Sequence, residues 1–224
     1  MDIPVEATAT AAMLILFSLI SYGKKILDLG GTLVADVFGI IAFRFGGLRA
    51  FLALVLFYIA AVAATRIGRL QRPKHETRTM ANIMGNGGPA IVCILAGNTA
   101  GFFGAISAAL SDTFSSEIGM NSKGKPIMIT TLQQAEKGTD GAVSLKGLFA
   151  GVVGGIVIGA LYWILIAPSV KMFALIAAVG LAGSLIDSVL GATLQRRGLL
   201  DNNSVNFIAS AAGAAVVVVV SAYF

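Results

Sequence analysis

The sequence predicts an all-α fold, a polytopic transmembrane helical bundle of about eight helices. Three observations carry this. Of 224 residues, 57% are hydrophobic and only 12% charged, where a soluble domain carries about 25% charged residues. The mean hydropathy is +0.88. The few charges are gathered into short stretches, and apolar runs of helix-spanning length lie between them.

The clear apolar runs are 7–21, 30–43, 50–64, 99–110, 148–166, 171–191 and 205–223. The first is expected to be a retained span, because Met1–Glu6 lacks the basic n-region of a cleavable signal. The region 80–119 admits two readings, one helix over 88–110 or two over 80–96 and 99–118 that turn at Gly97-Asn98. Basic residues decide between seven helices and eight. With eight, the loops holding Lys24/Lys25, Arg66–Arg78, Lys123–Lys146 and Arg196/Arg197 fall on one side and contain 13 of the 16 Lys and Arg residues. That bias satisfies the positive-inside rule and places both termini outside. The net charge of +5 therefore reads as membrane topology, not as nucleic-acid binding.

The fourth predicted helix is the weak one. Met80-Ala-Asn-Ile-Met-Gly-Asn-Gly-Gly-Pro89 is polar and rich in helix breakers, so it is expected to be broken or re-entrant. Irregular backbone at membrane depth survives only when buried in protein or lining a wet cavity. One single domain is expected over 1–224, since no stretch remains for a soluble one.

Small residues recur at helical spacing in two stripes. Gly147, Gly151, Gly154/Gly155 and Gly159 form the first, which reads foremost as close helix packing. Gly180, Ser184, Asp187/Ser188, Gly191 and Gln195 form the second. This one carries an intramembrane carboxylate, costly in lipid and therefore a functional-site candidate. Asp36 is a similar acid with fewer polar neighbours.

Each polar segment on the inner side has an ordinary explanation as a capped helix end or an interfacial lysine. Their convergence on one face does not. Acids, cations, amides and glycine-rich turns together suit a polyanion: carboxylates hold Mg²⁺ through water and phosphate oxygens, while Lys, Arg and exposed N–H groups hold phosphate. Helical geometry limits one pairing, because Glu117 lies about 140° around the helix from Asp112; both reach one metal only if the helix unwinds. No P-loop or dinucleotide fingerprint occurs. The single His75 sits in a basic loop and is expected to be solvated, and the single Cys93 is read as a small core residue. Serine-hydrolase and zinc chemistry are thus excluded.

The polar blocks themselves are ordered motifs: Lys24-Lys25-x-x-Asp28-x-x-Gly31, Arg78-x-x-x-Asn82-x-x-Gly85-Asn86-Gly87, Ser111-Asp112-Thr-x-x-Ser116-Glu117-Ile-Gly119, Lys137-Gly138-Thr139-Asp140-Gly141-x-Val143-Ser144, Gly183-Ser184-x-x-Asp187-Ser188-x-x-Gly191-Ala192-x-x-Gln195 and Asp201-Asn202-Asn203-x-x-Asn206. In this order they resemble the integral-membrane family that contains chloroplast phytyl-phosphate kinase, more distantly similar to phytol and dolichol kinases. The resemblance spans 24–213. Asp140, where Asn or Gly is expected, and Asp36 depart from the pattern.

The resemblance implies phosphoryl transfer from CTP, or another nucleoside triphosphate, to a polyprenyl monophosphate such as phytyl or geranylgeranyl phosphate. It implies Mg²⁺ held by Asp112, Glu117 and Asp187, with Lys137 beside them in a catalytic role. Phosphate oxygens are expected at Lys24, Lys25, Asp28, Arg78, Asn82, Asn86, Ser116, Lys123, Gly138, Thr139, Gly141, Ser144, Ser184, Ser188, Gln195, Asp201, Asn202, Asn203 and Asn206. The lipid tail is expected between helices, in a groove floored by the Gly147–Gly159 stripe. Other readings are a polyprenol kinase, a CDP-lipid-forming cytidylyltransferase, and a transporter of an anion or lipid phosphate.

Overall fold

The computed structural model describes residues 5–68 and 77–224. Seven α-helices are present among them: α1 (Val5–Gly23), α2 (Leu29–Gly68), α3 (Met80–Leu95), α4 (Thr99–Gly119), α5 (Leu145–Leu165), α6 (Val170–Leu190) and α7 (Asn202–Ser221). His75 and the basic residues Arg69, Arg72 and Lys74 lie outside the described residues.

Although α2 is one helical segment of 40 residues, it is not one rod. At Gly47 the backbone takes φ 71°, ψ −175°, a conformation that side-chain-bearing residues avoid. The two arms fold back on each other. Arg78 donates its amide to Ile26 O and accepts from the Asp28 amide, both at 3.0 Å, while its Nη2 donates to Thr65 Oγ1 at 2.7 Å. A straight helix of this length would hold its ends about 60 Å apart, so one arginine could not touch both. Phe43 and Phe51 meet edge-on across the bend, ring centroids 6.4 Å apart. Arg44 and Arg49 are exposed at its tip. Counting the two arms of α2 separately, the described residues hold eight helical segments, the number the basic-residue count favours.

Of the two forms expected for the weak segment, the broken one is not found. It is continuous from Met80 to Leu95 with Pro89 inside, so the break does not occur. Packing on other helices supplies what its sequence lacks: a Cβ at Gly85 would come 2.7 Å from the Asn203 carbonyl, and one at Gly87 3.0 Å from the Phe38 ring. At 16 residues α3 is about 24 Å long, short of the ~30 Å hydrocarbon core. It turns into α4 through Gly97, where Asn98 accepts the Gly101 amide at 2.7 Å.

α4 is the axis of the bundle, packed by α2, α3, α5, α6 and α7. Gly101 through Ser111 are all buried. Helix association in lipid relies on close backbone approach, and small residues permit it here. A Cβ at Gly104 would lie 2.6 Å from Gly213 O, one at Gly183 2.3 Å from Ala108 Cβ, and one at Gly155 2.4 Å from Ala177 O. This shielding accounts for the absence of α4 from the five described helices that qualify as spans by length and hydropathy, α1, α2, α5, α6 and α7. A helix wrapped in protein needs no lipid-soluble surface.

Between α4 and α5 the loop folds into a small flap. Two-residue strands β1 (Ile127–Met128) and β2 (Ala142–Val143) pair antiparallel, and exposed Lys125 and Glu136 bridge at 2.9 Å. On the far face, Lys171 at the start of α6 stands over the Phe224 ring at 5.3 Å, so the C-terminus lies opposite the flap.

Candidate functional site

The flap roofs a polar cavity of about 790 Å³ at one end of the bundle. Its walls are the end of α2 (Thr65), the start of α3 (Arg78, Asn82, Asn86), the last turns of α4 (Asp112 to Gly119), the 137–144 turn, the start of α5, and the facing ends of α6 and α7. The inner helix ends do converge.

Most of the expected residues line it: Arg78, Asn82, Asn86, Asp112, Ser116, Glu117, Lys137, Gly138, Thr139, Gly141, Ser144, Ser184, Asp187, Ser188, Gln195, Asn202 and Asn206. Six do not. Lys24 and Lys25 are exposed at the α1–α2 turn, and Lys123 is exposed on the loop. Asp28 instead secures the start of α2, its Oδ1 accepting the Gly31 amide at 2.6 Å, beside the backbone pairing that anchors Arg78. Asp201 caps α7 by accepting the Ser204 amide at 2.8 Å, and hydrogen bonding from the Ser204 side chain and then its amide holds the carboxyl below the usual range. Asn203 stands behind the wall, accepting from Asn82 Nδ2 at 2.8 Å. These three position the site without facing it.

At the base of the cavity Asp112 on α4 and Asp187 on α6 are close enough to interact electrostatically, with Glu117 also in range of Asp112 and Asp140 in range of Asp187. Ser184 Oγ donates to Asp112 Oδ1 at 3.4 Å. Asp187 Oδ2 is buried and has no hydrogen-bond partner. An orphaned carboxylate oxygen beside a second carboxylate is costly and suits a cation. α4 stays helical to Gly119, so the unwinding needed to bring Glu117 round does not happen. A Cβ at Gly68 would lie 2.5 Å from Glu117 Oε2, placing that carboxylate against the end of α2. Among the described residues no three His, Cys, Asp or Glu side chains stand together as a ligand set. All three expected acids line the cavity, with Asp112 and Asp187 at its base and Glu117 at its α2 wall.

The flap side is built from backbone. Gly138 and Gly141 adopt φ 84° and 78°, and Gly141 approaches the α6 extension so closely that a Cβ would lie 2.5 Å from the Ala192 amide nitrogen. That extension, Gly191–Gln195, is a π-helical turn, a feature frequent at functional sites, and it carries Gln195 to the cavity. Lys137 Nζ donates to the Ser122 carbonyl. Farther out, Lys125 and Glu136 shift each other through their bond, the lysine upward and the carboxyl downward.

Sequence reasoning missed Thr65 and Ser115. Thr65 receives the Arg78 guanidinium, and Ser115 Oγ donates to Gly147 O at 2.9 Å. Their one signal is a hydroxyl in the last turn of an apolar run. The predicted tail groove is also absent: a Cβ at Gly151 would come 2.5 Å from Ser115 Oγ and one at Gly154 2.8 Å from Ser111 Cα. The stripe is helix contact, with no room for a lipid.

Comparison with known proteins places this architecture. The family model described as "Integral membrane protein DUF92" matches residues 12–214. The chain belongs to the DUF92 integral-membrane family. It is 37% identical over 207 residues to an uncharacterized membrane protein of Methanocaldococcus jannaschii, covering 88% of this chain and 87% of the relative. It is 28% identical over 254 residues to Protein PGR of Arabidopsis thaliana, covering 84% and 86%, and 25% identical over 246 residues to Protein VTE6, chloroplastic, of the same plant, covering 98% and 73%. The resemblance drawn from the motifs, to the integral-membrane prenyl-phosphate kinase-like family, is borne out. No solved structure matches this DUF92 chain.

Proposed function

We propose that this protein transfers a phosphoryl group from a nucleoside triphosphate, CTP by family resemblance, to a polyprenyl monophosphate and releases the prenyl diphosphate. The observation that carries the reading is the polar cavity at one end of a lipid-embedded bundle, where the Asp112–Asp187 pair is ringed by Arg78, Lys137, amides and a glycine turn. The positive-inside bias puts this face in the cytoplasm, where nucleotides are, and both termini on the other side.

The donor's phosphates would lie along the Gly138–Gly141 turn, whose backbone N–H groups suit anions. The acceptor phosphate would meet Arg78, fixed by Thr65, and the Asn82 and Asn86 amides. Asp112 and Asp187 would hold Mg²⁺, which neutralises phosphate charge when bound; such ions take one or two carboxylates plus substrate oxygens, and need no all-protein cage. An oxygen of the prenyl phosphate attacks the donor's γ-phosphorus, the bond to the β-phosphate bridging oxygen breaks, and CDP leaves. The acceptor's second pKa is about 6, so it is already ionised near neutral pH. No strong general base is needed, and catalysis is mostly positioning and charge neutralisation.

Purified protein given Mg-CTP and phytyl or geranylgeranyl phosphate is expected to yield the diphosphate and CDP. Turnover of the free alcohol but not its phosphate would make it a polyprenol kinase. Release of pyrophosphate with a CDP-lipid would make it a cytidylyltransferase.

A further inference from the structure

The cavity has an apolar neighbour. Between α1, the two arms of α2 and α3 lies a cleft of about 100 Å³ with little polar surface in its walls. Arg78, Asn82 and Asn86 belong to both cavities. One side of this three-residue wall is thus hydrophilic, and the other is walled by Phe17, Phe38, Leu54, Val55 and Tyr58. A lipid phosphate has this division within one molecule.

We propose that the cleft receives the head-proximal isoprene unit of the acceptor, with its phosphate at Arg78, Asn82 and Asn86. The inference rests on the prenyl-phosphate reading and adds where the chain goes and how much of it is sensed. Size sets the extent. A cavity of roughly 150 Å³ holds a six-carbon ring, so this cleft encloses about one five-carbon unit. The rest of the chain lies in the bilayer along α1.

The surrounding architecture suits such a guest. α1 packs chiefly on α2, and only Thr10 and Ser21 on it are buried. Polar bonds that tether it include Ser18 Oγ to Asp36 Oδ2 at 2.6 Å and Tyr58 OH to Ser21 Oγ at 3.0 Å. Gly39 lets it close on the cleft, since a Cβ there would meet Leu14 Cδ2 at 2.7 Å. Recognition of one unit implies indifference to total length: prenyl phosphates of ten to twenty carbons are expected to share kcat/KM within about threefold, because carbons beyond the pocket exchange lipid for lipid.

The test uses full-length protein in detergent and a geranylgeranyl monophosphate bearing a diazirine on its first isoprene unit. Photolysis is expected to label α1 near Met13–Phe17 and α2 near Phe38 or Leu54. In parallel, Ala35→Phe fills the cleft from a partly exposed wall position and is expected to cut labelling there by about tenfold, the scale of a blocked apolar pocket. Labelling on α5 or α6, labelling unaffected by Ala35→Phe in a folded protein, or no labelling would overturn the proposal. The two readings fail separately: cleft labelling without CTP-dependent product sinks the kinase and keeps the site, whereas product formation with labelling elsewhere sinks only the site.

Discussion

The α4–α7 region and the α1–α2 region are both apolar helices in lipid, yet they are held together by opposite means. In the first, glycines remove side chains so that backbones touch, as at Gly104 against Gly213 and Gly154 against Ser111. In the second, α1 packs chiefly on α2 with side-chain hydrogen bonds from Ser18 and to Ser21, and leaves Ile15, Leu16 and Leu19 to the lipid. Close backbone contact surrounds the Asp112 and Asp187 segments. Looser contact borders the apolar cleft.

The sharpest break between the regions is chemical. Asp112→Ala is expected to lower diphosphate formation by at least ~100-fold, the scale of several kcal/mol of charge stabilisation at a metal, with the monodisperse elution profile and helical circular dichroism retained. An equal loss from Asp36→Asn, on the α1 side, would mean that the acid pair is not special.

Packing gives the next contrast. A Cβ at Gly180 would sit 2.5 Å from both Ser107 and Ser111 Oγ and 2.8 Å from Gly155 Cα, so Gly180→Leu overpacks the core. A destabilisation of about 1–3 kcal/mol or more is expected, read as a lowered thermal midpoint in detergent. Gly23→Ala, with nothing within 4 Å, is expected to leave the midpoint where it was.

Ser18→Ala should act more gently. It removes the bond to Asp36, and hydrogen bonds between membrane helices average about 0.6 kcal/mol. Faster proteolysis of α1 with unchanged CTP binding would sharpen the division between tethered and packed helices.

The smallest effect belongs to the flap. Glu136 is held below its usual range by Lys125, so the pair's contribution is present above the unfolded carboxyl pKa and lost as pH falls through the lower folded value. Both groups are exposed and such pairs contribute little. Lys125→Gln is expected to remove that acid dependence without a resolvable shift of the midpoint at neutral pH, read from unfolding curves over the carboxylate range.

How far the sequence speaks depends on whether a property is local. The helical segments, the Gly97-Asn98 turn and the convergence of polar ends follow from run length, turn residues and the side on which lysine and arginine fall, each read within one segment. The role of a polar residue at a helix end is not local. Asp28 and Asp201 have the chemistry of site residues and serve as caps, because a carboxylate that binds a helix amide looks in sequence like one that binds a ligand. Lys24, Lys25 and Lys123 belong to the right loops and stand outside the cavity, since a loop's composition does not say which way its side chains turn.

By itself the sequence determined the helical membrane fold and the family, because hydropathy, charge bias and ordered motifs survive without coordinates. Only the tertiary structure decided that Asp187 joins Asp112 at the base of the cavity, since the approach of α6 to α4 brings together acids 75 residues apart in sequence. It also decided that the glycine stripe of α5 is sealed against α4 and α6. The open apolar space lies instead beside Arg78, made by side chains from three helices that no sequence motif connects.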